Sequence, residues 1–494
     1  MKRILIILLT CSSCLVHYAS IVKHDVFAIA ATCLNTDHIA MIRNNDSYSI
    51  FNCIDKEGFV IILHGDDNTY SIAGYSLTCD WNEDDMPSVV LRWLETLSRK
   101  KCRHSTRTIT RNNDRIGINP LLSCHWHQDS PYNDLAPYIT DGHIKSVAGC
   151  VAIAASQIAY YWRRDNPQAT LKDTPVYPYG AAPVVMSIPK GSPNSWELML
   201  DVYKGGESEE SRYAVAQLCY VLGTTSYLNY AISTGGQIND AANALHMQYS
   251  LISTYKSKPT NYEEWDKLLY QELLHGRPVL CSGVAKSGGH AFVLDGYDQE
   301  KGLYHFNFGW GGAGDGYYPI DDSEESMGGY FEGQSIVYDI HPLKRNISAD
   351  MSCSYADHEN RHISISYNVT NNSTLPIKEL RVYIVPENKT LQEIEVENWQ
   401  GEGVANDNNM ISGTITIDNP SSPGNVSVIL TDENKYVLAQ TDFDIKTGIL
   451  SILNNDEGEE SLYYDMRGQK ILGVLKPGFY IRKNANGVRK YVIK

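Results

Sequence analysis

A thiol, an imidazole and two side-chain amides stand at spacings that suit acyl transfer. Cys150 lies in SVAGCVAIAASQIAYYWRR, residues 146 to 164, where Val151, Ala154, Ala155, Ile158 and Trp162 recur with helical period. Arg163 and Arg164 suit the negative end of that helix, and Pro167 stops it. The thiol therefore begins a helix, where the macrodipole and unpaired N–H groups lower a thiol pKa and make an inert side chain a nucleophile. Gly149 permits a tight entry and close approach of a substrate. Position alone equally suits a small core residue that happens to open a helix, so the partners decide.

A cysteine nucleophile needs a base, and PVLCSGVAKSGGHAFVLDGYD, residues 278 to 298, supplies a candidate. Two apolar strand patterns, Pro278 to Val284 and His290 to Gly296, flank a Gly-rich turn, and Gly288 and Gly289 leave the face of His290 uncrowded. The next strand, LYHFNFGWGG at 303 to 312, pairs back as a hairpin and carries Asn307 to Trp310 towards His290. An amide that accepts from the imidazole N–H fixes its tautomer, and an indole shields that bond from water. Asn307 and Trp310 are expected in those two places. A lone histidine at a strand start is more often a satisfied core or surface residue, but the flanking Gly-Gly and Asn-x-x-Trp-Gly-Gly weigh against that. Gln128, in the irregular stretch CHWHQDSPYN at 124 to 133, can present an amide N–H to the oxyanion of acyl transfer. A loop glutamine is by itself usually just solvated.

Around these residues the chain divides by pattern. Its 494 residues suggest roughly three domains. Residues 1–24 read as an export signal, with Lys2 and Arg3 before the apolar run Ile4 to Leu9 and no later stretch long enough to span a membrane. Lipidation at Cys11 or Cys14 stays open. Residues 25–98 read as a small α+β unit with strands at Ser47 to Cys53, Gly58 to Leu63 and Ser71 to Tyr75 and a helix at Pro87 to Ser98. Residues 99–119, RKKCRHSTRTITRNNDRIGIN, form a basic connector open to proteolysis. Residues 120–343 carry the chemistry, with helices expected from Cys150, at Ser211 to Leu222 and at Tyr262 to His275. Alternating strands follow, as in an Ig-like β-sandwich at 344–446, and a β-rich tail at 447–494 ends the chain.

Composition excludes several functions. A net charge of −16 removes the nonspecific phosphate attraction that nucleic-acid binding needs. Eleven scattered cysteines without C-x-x-C pairs give neither a zinc site nor a legible disulfide framework. Neither a metal nor an organic cofactor is expected.

The order Gln, Cys at a helix start, then His and Asn on adjacent strands resembles papain-type cysteine peptidases. The blocks WHQDSPYN, AGCVAIAASQIAYYW, GGHAFVLDGYD and YHFNFGWGGAGDGYY are similar to the streptopain family of secreted bacterial cysteine peptidases, interpain-like enzymes included. The resemblance covers roughly 120 to 343 and implies a papain-like α+β catalytic domain. It also implies Cys150 as nucleophile, His290 as general base and acid, Gln128 as an oxyanion donor, and Asn307 and Trp310 around the histidine. Where family members carry N-W-G-W-G, this chain has Asn307-Phe308-Gly309-Trp310-Gly311, which keeps the apolar wall but loses an indole N–H. Ala148 stands where a Thr or Ser is usual. Residues 47 to 98 are similar to the inhibitory propeptide of streptopain-type zymogens, an intramolecular partner for the cleft. Residues 462 to 494 resemble a type IX secretion sorting domain, implying a Gram-negative source, export to the outside or the cell surface, and contact with secretion machinery. The expected function is a secreted zymogen endopeptidase acting on proteins or peptides. A Cys-His acyltransferase or amidase, and a non-catalytic surface adhesin with a degenerate peptidase domain, are the competing readings.

Overall fold

The computed structural model describes residues 26–65, 69–86, 88–99, 115–139, 144–167, 169–179, 182–285, 288–320, 329–330, 332–356, 362–395, 397–402, 410–418, 424–445, 462–464, 478–484 and 487–493. The expected signal segment and most of the basic connector lie outside those residues. The chain forms two compact units, 1–344 and 345–494.

The first unit opens with helix α1 (Val26–Leu34) and four strands, β1 (Ile39–Asn44), β2 (Tyr48–Cys53), β3 (Phe59–His64) and β4 (Tyr70–Ser76), followed by helix α2 (Ser88–Arg99). Sequence reading finds β2, β3, β4 and α2 but not α1 or β1. Beyond the connector come α3 (Cys150–Tyr161), a short β5–β6 pair (Tyr177–Tyr179, Ala182–Val185), α4 (Glu209–Thr225), α5 (Ile238–Tyr249), β7 (Leu251–Ser257) and α6 (Tyr262–Leu274). The unit closes with β8 (Val279–Ala285), β9 (Gly288–Asp298), β10 (Leu303–Asn307), β11 (Gly316–Tyr318) and β12 (Glu332–Pro342). This is an α+β architecture. Its helix α3 is apolar all round, and Val151 through Tyr160 are buried, as expected of a helix inside a fold rather than on its surface.

One ten-stranded sheet runs through the whole unit in the order β1-β2-β3-β4-β11-β10-β9-β8-β12-β7. The expected boundaries at 98 and 119 are therefore not borders between separate compact bodies. The join is the antiparallel register Tyr317 to Tyr75 between β11 and β4, where the two rings stack with centroids 4.8 Å apart. Tyr75 Oη donates to Asp298 Oδ2 at 2.5 Å. One hydrophobic core follows the sheet across the join, from Ile50, Phe59, Trp81 and Trp93 to Phe292, Phe306, Phe308 and Tyr330. Past the connector the chain is tied back by Arg115, which pairs with Asp266 at 2.5 Å and lies 4.4 Å from the Tyr270 ring centroid.

The second unit packs a three-stranded sheet, β13 (Ile347–Tyr355), β14 (His362–Asn371) and β17 (Met410–Asp418), against a four-stranded one. The latter holds β15 (Glu379–Pro386), β16 (Trp399–Glu402), β18 (Gly424–Asp432) and β19 (Val437–Ile445). Inward residues of both, such as Ile365, Val369, Val382 and Val428, share one core, the layout of a β-sandwich. A further three-stranded sheet, β20 (Leu462–Tyr464), β21 (Gly478–Asn484) and β22 (Gly487–Ile493), ends the described chain.

The β4–β11 join leaves no room for a side chain at Gly316, where an added Cβ would lie 2.3 Å from the Tyr75 carbonyl oxygen. Gly316→Val is expected to destabilise the first unit by about 1–3 kcal/mol, measured by urea unfolding.

Candidate active site

Cys150 is the first residue of α3. Gly149 before it has φ +93° and its carbonyl accepts from Ile153 N–H at 3.0 Å, the first bond of the helix. A Cβ at Gly149 would sit 2.7 Å from Thr234 Cγ2, so only glycine allows this entry. The segment before it is pinned by Thr234, whose hydroxyl donates to Val147 O at 2.7 Å. The sulfur meets backbone N–H groups of Cys150 itself, of Val151 and of Ala291, the residue after His290. Nucleophile helix and histidine strand therefore touch at the reacting atom.

Burial pushes the Cys150 thiol above its ordinary 9.0, and the three N–H groups pull it back only in part. The sequence expectation of a lowered thiol pKa is thus corrected for this state. The helix start and its donors are present as expected, yet desolvation of the sulfur exceeds them.

His290 lies on β9 opposite Gly283 of β8 and is only 7% exposed. Trp310 stacks on its ring with centroids 4.6 Å apart and planes 18° from parallel, and Tyr330 lies 5.2 Å away. Nε2 is 2.8 Å from the Phe308 carbonyl oxygen. A carbonyl only accepts, so Nε2 carries the hydrogen and Nδ1 keeps the lone pair that a base requires. Burial drives the ring down to about 4, and the Phe308 carbonyl raises it against that trend.

Asn307 does not take the place expected of it. Its Nδ2 donates to Cys124 O at 2.8 Å and its Oδ1 accepts from Gly309 N–H at 3.1 Å. The reason is register. Asn307 pairs with Val293, and continuing that antiparallel register sets Phe308 to Trp310 against Phe292 to His290. Trp310 thus reaches the ring, and Phe308 supplies the acceptor from its backbone. Asn307 acts one step away, because the Gly309 N–H that it holds belongs to the same peptide unit as the Phe308 carbonyl.

Gln128 is half-buried and is tied through its main chain to the residue two before Cys150, with its carbonyl accepting from Ala148 N–H at 2.9 Å. Its segment is fixed to α3 by Trp126 N–H donating to Gln157 Oε1 at 3.3 Å. Three residues absent from the sequence reading belong to this neighbourhood. Tyr330 walls the imidazole, and burial next to Cys150 raises its phenol. Asp315 accepts from Phe308 N–H at 2.8 Å and from His125 Nδ1 at 2.9 Å. Asp315 was detectable as the one carboxylate in the Gly-rich run 309 to 316, where backbone N–H groups await an acceptor. Among the described residues no group of three or more His, Cys, Asp or Glu suits a metal ion.

Comparison with known proteins agrees with this chemistry. The Peptidase C10 family model matches residues 126–318. Streptopain of Streptococcus pyogenes is 28% identical over 326 residues, covering 58% of this chain and 79% of that protein. The thiol protease/hemagglutinin PrtT of Porphyromonas gingivalis is 25% identical over 337 residues, 61% of this chain and 37% of that protein. Among solved structures, active interpain A of Prevotella intermedia is 30% identical, covering 45% of this chain and 94% of that one, with a TM-score of 0.40. A prointerpain A fragment is 25% identical, covering 60% and 97%, with a TM-score of 0.48. The chain is a cysteine peptidase of papain-like α+β build. It belongs to the peptidase C10 family, the streptopain type.

Gly149→Ala is expected to abolish peptide hydrolysis and to lower stability by about 1–3 kcal/mol, checked by peptide cleavage and thermal unfolding. Iodoacetamide modification of Cys150 in the intact chain is expected to keep accelerating, without a plateau, as pH rises past the ordinary thiol value of 9.0. The sign follows from the raised pKa, since only the thiolate reacts, and a rate plateau reached near neutral pH is the contrary result.

Proposed function

We propose that this chain is an exported zymogen endopeptidase in which Cys150 is the nucleophile and His290 the general base and acid. The observation that carries the reading is the junction of α3 and β9, where the Cys150 sulfur accepts from Ala291 N–H beside an imidazole held at Nε2 by Phe308. In the reaction His290 Nδ1 takes the thiol proton and the thiolate attacks a peptide carbonyl carbon. The tetrahedral oxyanion is held by the backbone N–H of Cys150 and the side-chain amide of Gln128. The C–N bond breaks as the imidazolium returns its proton to the leaving amine. Water, deprotonated by the same nitrogen, then releases the acid and the free thiol. Trp310 covers the face of the imidazole, and Asn307 holds the peptide that orients it.

The zymogen reading draws support from the placement of α2. Trp93 lies so close to Gly329 that a Cβ there would meet its ring at 2.9 Å, and its ring packs edge-on to Tyr318 at 6.1 Å. Gly329 precedes Tyr330, the wall of the imidazole. Residues 26–99 thus pack against the residue before Tyr330 and extend the sheet that carries His290, which supports reading them as a cover over the site. Cleavage in 99–119 frees that cover. Export follows the N-terminal signal pattern and, for the outer surface, the sorting-like tail that forms β20 to β22.

The test is incubation of the chain from about residue 25 under reducing conditions, beside Cys150→Ala, read by intact mass and casein hydrolysis. Cleavage within 99–119 and casein hydrolysis are expected in the wild type and absent in the variant. Two chains that stay intact and inert after trypsin has nicked the connector overturn the assignment.

A further inference from the structure

Three hydrogen bonds stitch the segment bearing Gln128 to the loop bearing the acceptor for the imidazole. Asn307 Nδ2 donates to Cys124 O at 2.8 Å, and Gly311 N–H donates to Trp126 O at 2.9 Å. Between them in the segment, His125 Nδ1 donates to Asp315 Oδ2 at 2.9 Å. Asp315 is wholly buried, and its other oxygen takes the N–H of Phe308 at 2.8 Å. The Phe308 N–H is thus fixed by Asp315 while its carbonyl is fixed on His290.

We propose that His125 and Asp315 form a positioning pair for the peptidase reaction, orienting the His290 imidazole through the backbone of Phe308. The inference rests on the assignment of Cys150 and His290 made above. A carboxylate taken wholly out of water is costly unless both oxygens are satisfied, and here one partner is the residue that sets the imidazole. The other partner stands three residues before Gln128, so the base and the oxyanion donor are held in one hydrogen-bonded frame. Gly312, at φ +93°, brings its backbone close over the His125 side chain, with an added Cβ only 3.6 Å from His125 Cβ. Asp315, then Asp295 and Asp201, hold the His125 ring above its ordinary 6.5 against the opposing effect of burial. Neither His125 nor Asp315 touches substrate in this role. Their influence passes through the angle at which Phe308 presents its carbonyl.

The experiment compares the processed enzyme with Asp315→Asn, His125→Leu and His125→Asn. Read out are kcat and KM on a peptide substrate, the pH profile of iodoacetamide reaction at Cys150, and thermal unfolding. Asp315→Asn and His125→Leu are expected to lower kcat about 10- to 100-fold, the scale of a small misplacement of a catalytic group, with KM nearly unchanged. The alkylation profile should move to higher pH, because a misdirected imidazolium no longer stabilises the thiolate. His125→Asn places its amide N–H where Nδ1 stands, keeps the bond to Asp315 and should recover most of the lost kcat. If His125→Leu does not fold, His125→Ala, which has no N–H for Asp315, replaces it. The proposal is overturned if folded variants keep the wild-type kcat and alkylation profile, or if kcat falls only in step with the fraction of reactive Cys150. It is also overturned if His125→Asn is no better than His125→Leu. A processed wild type without activity removes the assignment of Cys150 and His290, and the pair with it.

Discussion

The hydrogen bond from His290 Nε2 to the Phe308 carbonyl, 2.8 Å long, is the constraint on which the rest of the site depends. It decides which nitrogen holds the lone pair, and so which edge of the ring can work as a base. A neutral carbonyl stabilises an imidazolium less than a carboxylate would, which leaves the charge state of the ring to its surroundings. Everything within reach of Phe308 serves the bond. Asn307 holds the far side of the same peptide unit, Asp315 holds the Phe308 N–H, and Trp310 closes the ring face.

Burial acts on both reacting groups in the direction of neutrality. It raises the thiol of Cys150 and lowers the imidazole of His290 to about 4. A thiolate–imidazolium pair needs the opposite shift in each, so water access or mutual approach must precede chemistry. The same sheet that positions His290 runs without interruption into β4 and the strands before it. In this chain the strand that aligns His290 and the strands before the connector belong to one hydrogen-bonded layer.

Much of this was legible in the residues. The apolar period after Cys150 gives α3, and the Gly-rich turn before His290 gives the β8–β9 hairpin, because both patterns arise from local geometry. The hairpin register also brings Trp310 to the imidazole. What failed was the last step, from strand pairing to side-chain direction. A period-two pattern cannot say whether Asn307 or the backbone one residue later meets the ring. Helix α5 escaped notice although Ile238, Ala241, Ala242, Leu245 and Tyr249 recur at helical spacing and are buried, because small alanines make up much of that stripe. The raised thiol pKa was out of reach for a similar reason, since helix position is local while desolvation depends on residues far along the chain.

The departure at Phe308 from the usual N-W-G-W-G wording now has a physical reading. The bond to His290 leaves from the backbone, so exchange of an indole for a phenyl ring removes no acceptor. What the side chain must do is fill space. Phe308 is 1% exposed and stacks on Trp310 with centroids 5.1 Å apart, in a cluster with Phe292, Phe306 and Tyr330. A buried phenyl ring has no N–H to satisfy, whereas a buried indole must find a partner or bear the cost. An apolar ring at this position therefore keeps the carbonyl in place at no polar penalty.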